Sequence, residues 1–170
     1  ANAGPNVARS TGETALLLAA RTGRPEVVRS LLAGGASADI KMGAFEQTPL
    51  MWAAAEGHAP IVRLLLEVGA DKEARTPFTE KKGRPRYKSQ EGPLEPRADG
   101  RSVIAALWPR DGNFDTDRFE GGMTPLLFAV NGGHLDAVRV LLEAGTKVDG
   151  AMPDGLTPLQ LAQIRRHEEL

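Results

Sequence analysis

One pattern occurs four times along the chain, and it constrains the fold more than any other feature of the sequence. In its clearest copy, Gly122 precedes Thr124, whose hydroxyl can cap a helix, and Pro125, which suits the first helical turn because it lacks an amide hydrogen. A short apolar helix is predicted to follow, then a glycine pair, then a second helix that ends at Gly145. The pattern therefore predicts a turn and two short helices in every copy.

The other copies contain the same elements at a constant spacing. Thr14 and Thr48 are 34 residues apart, and Thr124 and Thr157 are 33 residues apart. Capping, apolar and glycine positions recur together at this period, which resembles that of the ankyrin repeat. The stretches TPLMWAAAEGH and GGMTPLLFAV are similar to those of bacterial ankyrin proteins. Because many of those proteins carry export signals, the resemblance favours a periplasmic or secreted location over a cytoplasmic one.

The resemblance implies an all-α repeat solenoid, in which ankyrin helix–turn–helix repeats stack on one another and β-turn or hairpin fingers project from the stack. Such repeats bury their apolar stripes only against their neighbours. We treat the chain as a single array and divide it into five segments. These are a repeat at 10–42, a repeat at 43–75, a long insertion in the finger at 76–118, a repeat at 119–150 and a partial repeat at 151–170.

The segment 76–118 interrupts the period. Thr48 and Thr124 are 76 residues apart, which equals one repeat plus about 43 residues or two repeats plus about 10. A second repeat hidden here would need a Thr-Pro-Leu start and a paired-leucine helix, and the segment has neither. We therefore expect an inserted loop, whose closure costs only about 2 kcal/mol in entropy. Its apolar residues are expected to pack on the repeats; these are Val103, Ile104, Leu107 and Trp108.

The residues before the first repeat form an irregular lead-in. The span from Asn2 to Thr14 is expected to correspond to the span from Asp149 to Thr157 and to be about four residues longer.

The charge balance excludes several classes of partner. The chain has 21 basic and 22 acidic residues and a net charge of −1, which argues against general nucleic-acid binding and against binding to a membrane surface. No apolar stretch reaches the length of a membrane span. The chain has no cysteine, so disulfides, thiolate metal sites and a cysteine nucleophile are excluded. We predict protein partners, with no nucleic acid and no membrane span, and a membrane-bound complex stays open as a partner.

Motifs of enzymes and cofactor sites are missing from the sequence. There is no phosphate-binding loop, no Gly-x-Ser-x-Gly turn and no His-Glu-x-x-His motif. Residues 111–117 resemble the first half of a calcium loop, but Thr116 occupies the position of the required glycine and Gly122 that of the bidentate glutamate. The histidines share one register, in which the resemblance implies bonds to neighbouring backbone; they are His58, His134 and His167. We predict no catalytic residue, no cofactor and no metal site.

The resemblance implies a non-catalytic protein–protein interaction module or scaffold. Terminal repeats of an array need polar caps, and both ends of this chain look cut, so we expect a segment of a longer ankyrin protein or a subunit of a larger assembly. An alternative from another class is an accessory segment that recruits a substrate or partner for an enzyme whose catalytic domain lies outside these residues. The sequence of the full-length gene product would separate the two.

The resemblance also implies where a partner binds, namely the concave face of the stack and the tips of the fingers. One finger carries an extra residue, and in it Glu46 replaces the usual turn glycine. The expected partner-binding residues are Arg21, Thr22, Phe45, Gln47, Glu56, Met123, Asn131, Leu156 and Arg165. A second contact is expected in the basic stretch of the insertion, at Lys81, Lys82, Arg84, Arg86, Tyr87 and Lys88.

Overall fold

Seven short helices make up the regular structure of the described part of the chain. The computed structural model describes residues 4–9, 13–43, 45–77, 121–152, 155 and 157–165. The helices are α1 (Ala15–Arg21), α2 (Pro25–Ala33), α3 (Pro49–Ala55), α4 (Ala59–Glu67), α5 (Pro125–Gly132), α6 (Leu135–Glu143) and α7 (Pro158–Arg165). These ranges contain no β-strand, so the predicted helix pairs of the first three repeats and the first helix of the fourth are present.

The repeated threonines start the first helix of each repeat. At the start of α1, α3 and α5, the hydroxyl of Thr14, Thr48 or Thr124 accepts a hydrogen bond from the backbone N–H three residues later, in each case at 3.3 Å. These hydroxyls therefore satisfy one of the N–H groups that a helix start leaves unpaired. The threonines are themselves buried, so the caps also lie inside the stack.

The helices stack in two rows. Helices α1, α3, α5 and α7 pack on one another in the inner row, and α2, α4 and α6 pack on one another in the outer row. Within each of the first three repeats the inner helix also packs on the outer one. Between the rows lies a continuous apolar core, in which Leu50, Leu65, Leu127 and Leu141 are completely buried. The core therefore runs without a break from the first described repeat to the fourth.

Two histidines join successive inner helices at their carboxyl ends. His58 Nε2 lies 3.1 Å from the backbone oxygen of Arg21, and His134 Nε2 lies 2.8 Å from that of Ala55. Each ring lies against a glycine of the preceding repeat: a Cβ on Gly23 would come within 2.7 Å of the His58 ring, and one on Gly57 within 2.5 Å of the His134 ring. The expected bonds to neighbouring backbone are therefore present for both histidines, and they require glycine in the turn.

The described residues on either side of the segment 78–120 meet at a hairpin-like base. Thr76 N donates to the backbone oxygen of Met123 at 3.1 Å, and Gly122 N donates to the backbone oxygen of Thr76 at 2.9 Å. The Thr76 hydroxyl accepts a third hydrogen bond from Met123 N at 3.0 Å. Arg75 also donates to the backbone oxygen of Gly122, at 3.1 Å. Helix α3 packs directly on α5 and α4 on α6, although residues 78–120 separate them in sequence.

A row of polar side chains joins each finger to the next. Asn6 Oδ1 accepts from the backbone N–H of Ser37 at 2.8 Å, and Asp39 Oδ1 accepts from that of Asp71 at 2.8 Å. Glu73 Oε1 accepts from the backbone N–H of Lys147 at 2.9 Å. We call these three bonds the finger ladder; in each, a side chain near the end of one repeat satisfies a backbone donor of the next.

The finger ladder corrects the expected register of the lead-in. Asn6, rather than Asn2, takes the position that Asp39 and Glu73 hold in the following repeats. Asn6 precedes Thr14 by eight residues, the same separation as between Asp149 and Thr157, so the lead-in has no excess length. The expectation was wrong because it matched the first asparagine, whereas the bond to Ser37 N identifies the second.

None of the helices in the described ranges is long and apolar enough to cross a membrane.

The core predicts a large effect for a single truncation. Leu65 in α4 is completely buried, so Leu65→Ala should lower the free energy of unfolding by about 2–5 kcal/mol, through lost apolar burial and the cavity left behind. Urea denaturation measures this change. Glu67→Ala, in the same helix at an exposed position, is the matched control and should stay within about 0.5 kcal/mol of the parent. Equal effects of the two substitutions would contradict the packing described here.

The hydrogen bonds that join Thr76 to Gly122 and Met123 predict that the repeats fold without the segment between them. If residues 78–117, which we expect to form an inserted loop, are replaced by a short glycine-containing turn, the free energy of unfolding should rise by up to about 2 kcal/mol, because a shorter loop costs less closure entropy. The comparison requires the parent and the shortened chain in the same urea titration. Thr76→Val, which removes the hydroxyl at the base, is the companion variant and should lower stability. Loss of the cooperative transition in the shortened chain would show that the segment belongs to the core.

Candidate protein-binding surface

The carboxyl ends of the inner helices form a continuous row across the repeats. The histidine bonds place the end of α1 beside that of α3, and the end of α3 beside that of α5. Eight residues after each capping threonine, this row carries Thr22, Glu56, Gly132 and Arg165. The first three are exposed and Arg165 is half-buried. We call this row the inner-end surface; it is accessible in every repeat and differs in chemistry from one repeat to the next.

An ordered arginine lies at one end of this surface. The guanidinium of Arg21 lies 5.4 Å from the centre of the Trp52 ring, within range of a cation–π interaction. Arg21 Nη1 also lies 3.2 Å from Glu13 Oε1, and the Arg21 side chain keeps 36% of its area exposed. Trp52 Nε1 is buried and has no hydrogen-bond partner among the described residues, so packing and the Arg21 guanidinium are the contacts that hold the indole there. The two contacts hold the guanidinium in place while part of it faces solvent.

A second arginine lies at the other end. Arg165 in α7 donates from Nε and Nη2 to Asn131 Oδ1 in α5, at 3.0 and 2.7 Å. Burial lowers the pKa of the Arg165 guanidinium below its ordinary value, because desolvation disfavours the charged form. The carboxamide of Asn131 offsets part of this cost with two charge-assisted hydrogen bonds. Arg165 therefore ties the fourth repeat to the third in addition to lying on the inner-end surface.

The finger between the first and second repeats is a tight hairpin. Met42 and Gln47 exchange two backbone hydrogen bonds of 3.0 and 3.1 Å, and Lys41 Nζ lies 2.8 Å from Glu46 Oε2. Glu46 has φ +45°, the left-handed region that residues with a side chain rarely adopt. Phe45, beside it, keeps 38% of its surface exposed. The hairpin therefore presents an aromatic ring to solvent on a strained but closed loop.

The left-handed conformation of Glu46 is the one that glycine adopts in the other fingers. Gly122 and Gly155, which also lie two residues before a capping threonine, have φ +75° and +90°. The substitution of glycine by Glu46 therefore leaves the turn geometry in place and adds steric strain.

The structure divides the expected partner-binding residues into accessible and buried groups. Thr22, Phe45 and Glu56 are exposed, and Arg21 and Arg165 are half-buried. Gln47, Met123 and Asn131 retain only 8%, 2% and 9% of their surface, so they support the stack and do not contribute contact area in this conformation. Leu156 lies outside the described residues. So do the basic residues of the insertion, its apolar residues, residues 111–117 and His167.

In the described ranges, no three histidine or acidic side chains come together as metal ligands could. The histidines there are bonded to the backbone of the preceding repeat, as described above.

Comparison with known families agrees with this architecture. A family model described as ankyrin repeats, in three copies, matches residues 1–76 and 99–170. The chain belongs to the ankyrin repeat family. The prediction of an all-α ankyrin solenoid is therefore confirmed, while its narrower likeness to bacterial ankyrin proteins stays a prediction. Residues 99–118, which we assign to the insertion, lie within the second matched segment, so the boundaries of the five segments also stay predictions. A comparison with curated proteins finds no match.

Several contacts of this ankyrin array are missing from the sequence-based expectations. The Arg21–Trp52 contact joins two repeats, and of the two residues only Arg21 was among the expected partner-binding residues. The finger ladder was also missed, although a signal for it exists: Asp39, Glu73 and Asp149 all lie four residues after a glycine that ends an outer helix. Apolar packing does not require an acidic residue at this position. Its recurrence in successive repeats therefore indicates that the carboxylate accepts the same hydrogen bond in each.

Backbone strain at the finger gives a test of its geometry. Because glycine adopts φ +45° without a steric penalty, Glu46→Gly should be more stable than Glu46→Ala by about 1 kcal/mol. Both variants lose the exposed ion pair with Lys41, so their difference isolates the backbone effect. Urea denaturation of the two proteins measures it. If Glu46→Ala is the more stable of the two, the residue is not left-handed in solution.

Proposed function

We propose that this ankyrin array is a protein-binding module that contacts its partner through the inner-end surface and the finger at residues 41–47. Ankyrin repeats are generally protein–protein interaction modules and are typically non-catalytic. The proposed contact residues are Arg21, Thr22, Phe45, Glu56 and Arg165. The proposal includes a role as part of a longer ankyrin protein or of a larger assembly, with the basic residues 81–88 as a second contact.

One observation carries the proposal: the repeats share their framework but differ along the inner-end surface. The capping threonine, the leucine two residues after it and the glycine after the outer helix recur in the first three repeats. At the exposed position eight residues after the threonine, the same repeats carry a hydroxyl, a carboxylate and a bare backbone, at Thr22, Glu56 and Gly132. Stacking requires glycine at 132, because the His134 ring lies against it, but it requires neither the hydroxyl of Thr22 nor the carboxylate of Glu56. A surface that recognises one partner needs such differences.

The Arg21–Trp52 pair supports a contact at one end of this surface. Arginine and tryptophan are enriched among the residues that contribute most to protein interfaces. Because Glu13 and Trp52 already hold the guanidinium, a partner would lose little side-chain entropy by binding to it. Phe45 offers apolar area on a closed hairpin, which is ordered before binding in the same way.

Site-specific photocrosslinking in the source cells tests this assignment. A photoreactive amino acid at Glu56 should give a discrete crosslinked species, and the same amino acid at Glu26, exposed at the start of the outer helix α2, should not. Arg21→Ala should reduce the yield of the Glu56 crosslink by about tenfold, because truncation of an interface arginine often costs more than 1 kcal/mol. The melting temperature of each variant must match that of the parent. Crosslinks from Glu26 alone would move the binding surface to the outer row.

A further inference from the structure

Trp52 is the one residue with a polar side-chain atom at its position in the four repeats. The other residues four positions after a capping threonine are purely apolar; they are Leu18, Phe128 and Leu161. Phe128 and Leu161 are buried, so packing at this position needs no hydrogen-bond donor. Trp52 Nε1 is nevertheless buried without an acceptor among the described residues. Because an unpaired buried N–H destabilises a protein, the stacking of the repeats does not explain the indole nitrogen.

The two charged residues beside the indole are particular to the first repeat. Arg21 lies seven residues after the capping threonine, and Glu13 lies directly before it. The corresponding residues of the later repeats are uncharged; they are Ala55, Asn131 and Ile164 for Arg21, and Gln47, Met123 and Leu156 for Glu13. Stacking therefore requires a charge at neither position, yet Arg21 lies on the Trp52 ring and pairs with Glu13. Three departures from the repeat pattern thus meet at one place.

This place is open to the inner-end surface. The Arg21 guanidinium is partly exposed, and Trp52 is half-buried although its nitrogen is covered. Glu56, which is exposed on the inner-end surface, follows Trp52 by one helical turn and donates its backbone N–H to the Trp52 oxygen at 3.1 Å. A partner that lies on the inner-end surface therefore has direct access to the guanidinium.

The chemistry of the guanidinium indicates what it binds. It offers five N–H donors in a planar fork, and the ion pair with Glu13 joins one nitrogen, Nη1, to Oε1 at 3.2 Å. A carboxylate matches this fork with two parallel hydrogen bonds. Because water and salt screen a partly exposed ion pair, a second carboxylate can compete with Glu13. A phosphate dianion would meet a single guanidinium with an acidic neighbour, which suits it less well.

We propose that Arg21 and Trp52 form a carboxylate-binding subsite of the inner-end surface, at which an aspartate or glutamate of the protein partner competes with Glu13. This inference rests on the proposed function and names the chemistry of the partner at one end of the surface. One oxygen of the carboxylate binds the guanidinium where it lies, and a rotation of the indole turns Nε1 towards the other oxygen. Binding thus satisfies a donor that the free protein leaves unpaired.

The photocrosslink from position 56 reports on this subsite, because that position lies one helical turn from Trp52. Glu13→Gln keeps an oxygen that accepts from Arg21 but removes the competing charge, so the crosslink yield should rise about threefold. Glu26→Gln, at an exposed position of α2, changes the net charge equally and should leave the yield unchanged. An ion pair with a purely structural role predicts no increase for Glu13→Gln.

Trp52→Phe separates the N–H donor from the aromatic ring. Phenylalanine already packs in this register at Phe128, so the variant should keep the parent melting temperature, or exceed it because the unpaired donor is gone. The crosslink yield should nevertheless fall about threefold, since the partner's carboxylate loses a hydrogen bond. If the indole only fills space, the yield should equal that of the parent.

Mass spectrometry of the crosslinked peptide identifies the anion of the partner. The peptide should contain an aspartate or glutamate, and changing that residue to its amide should remove the difference in yield between the parent and Arg21→Ala. A crosslink that phosphatase treatment abolishes would assign the subsite to a phosphoryl group and overturn the proposal. If either Glu13→Gln or Trp52→Phe leaves the yield unchanged, this inference fails and the proposed function stands. If position 56 gives no crosslink in the parent, both fail.

Discussion

The structure depends on apolar burial between neighbouring repeats. Helices of seven to nine residues are too short to be stable alone, and each outer helix buries only the stripe that faces its neighbours. Leu50 and Leu127 are completely buried because an inner helix lies on either side of them. Every other contact described here, including the histidine bonds and the finger ladder, refines the orientation of units that packing has already brought together.

The hydrogen bonds between repeats determine the register of the stack. Apolar contact between two helices tolerates sliding, whereas a bond from His134 Nε2 to the Ala55 oxygen at 2.8 Å does not. The close approach of that ring to Gly57 and Gly132 excludes side chains at both positions. The finger ladder provides hydrogen bonds of the same kind between neighbouring repeats, at the opposite end of the inner helices. Neighbouring repeats are therefore joined by hydrogen bonds at both ends of each inner helix, and by non-directional apolar contact between those ends.

Much of this architecture could be predicted from the sequence, because the signals are local. The caps at Thr14, Thr48 and Thr124 and the period between them predicted the helix pairs, and the structure places all of them as expected. Residue accessibility was harder to predict, since it depends on what the neighbouring repeat contributes. Met123 has the register of a groove residue, yet it lies at the closed base of the insertion and is buried. The register of Asn6 was missed for the same reason, because only its partner in the next repeat identifies it.

The closed base at Thr76 and Met123 also has a kinetic consequence. Within each half of the array, contacts form between repeats that are close in sequence, so each half can assemble rapidly. The interface between α3 and α5 instead joins residues that are far apart in sequence, so its formation costs more chain entropy. We therefore expect each half to assemble first, and the junction between α3 and α5 to form last and to open first. The long separation in sequence at this junction thus predicts where the stack separates.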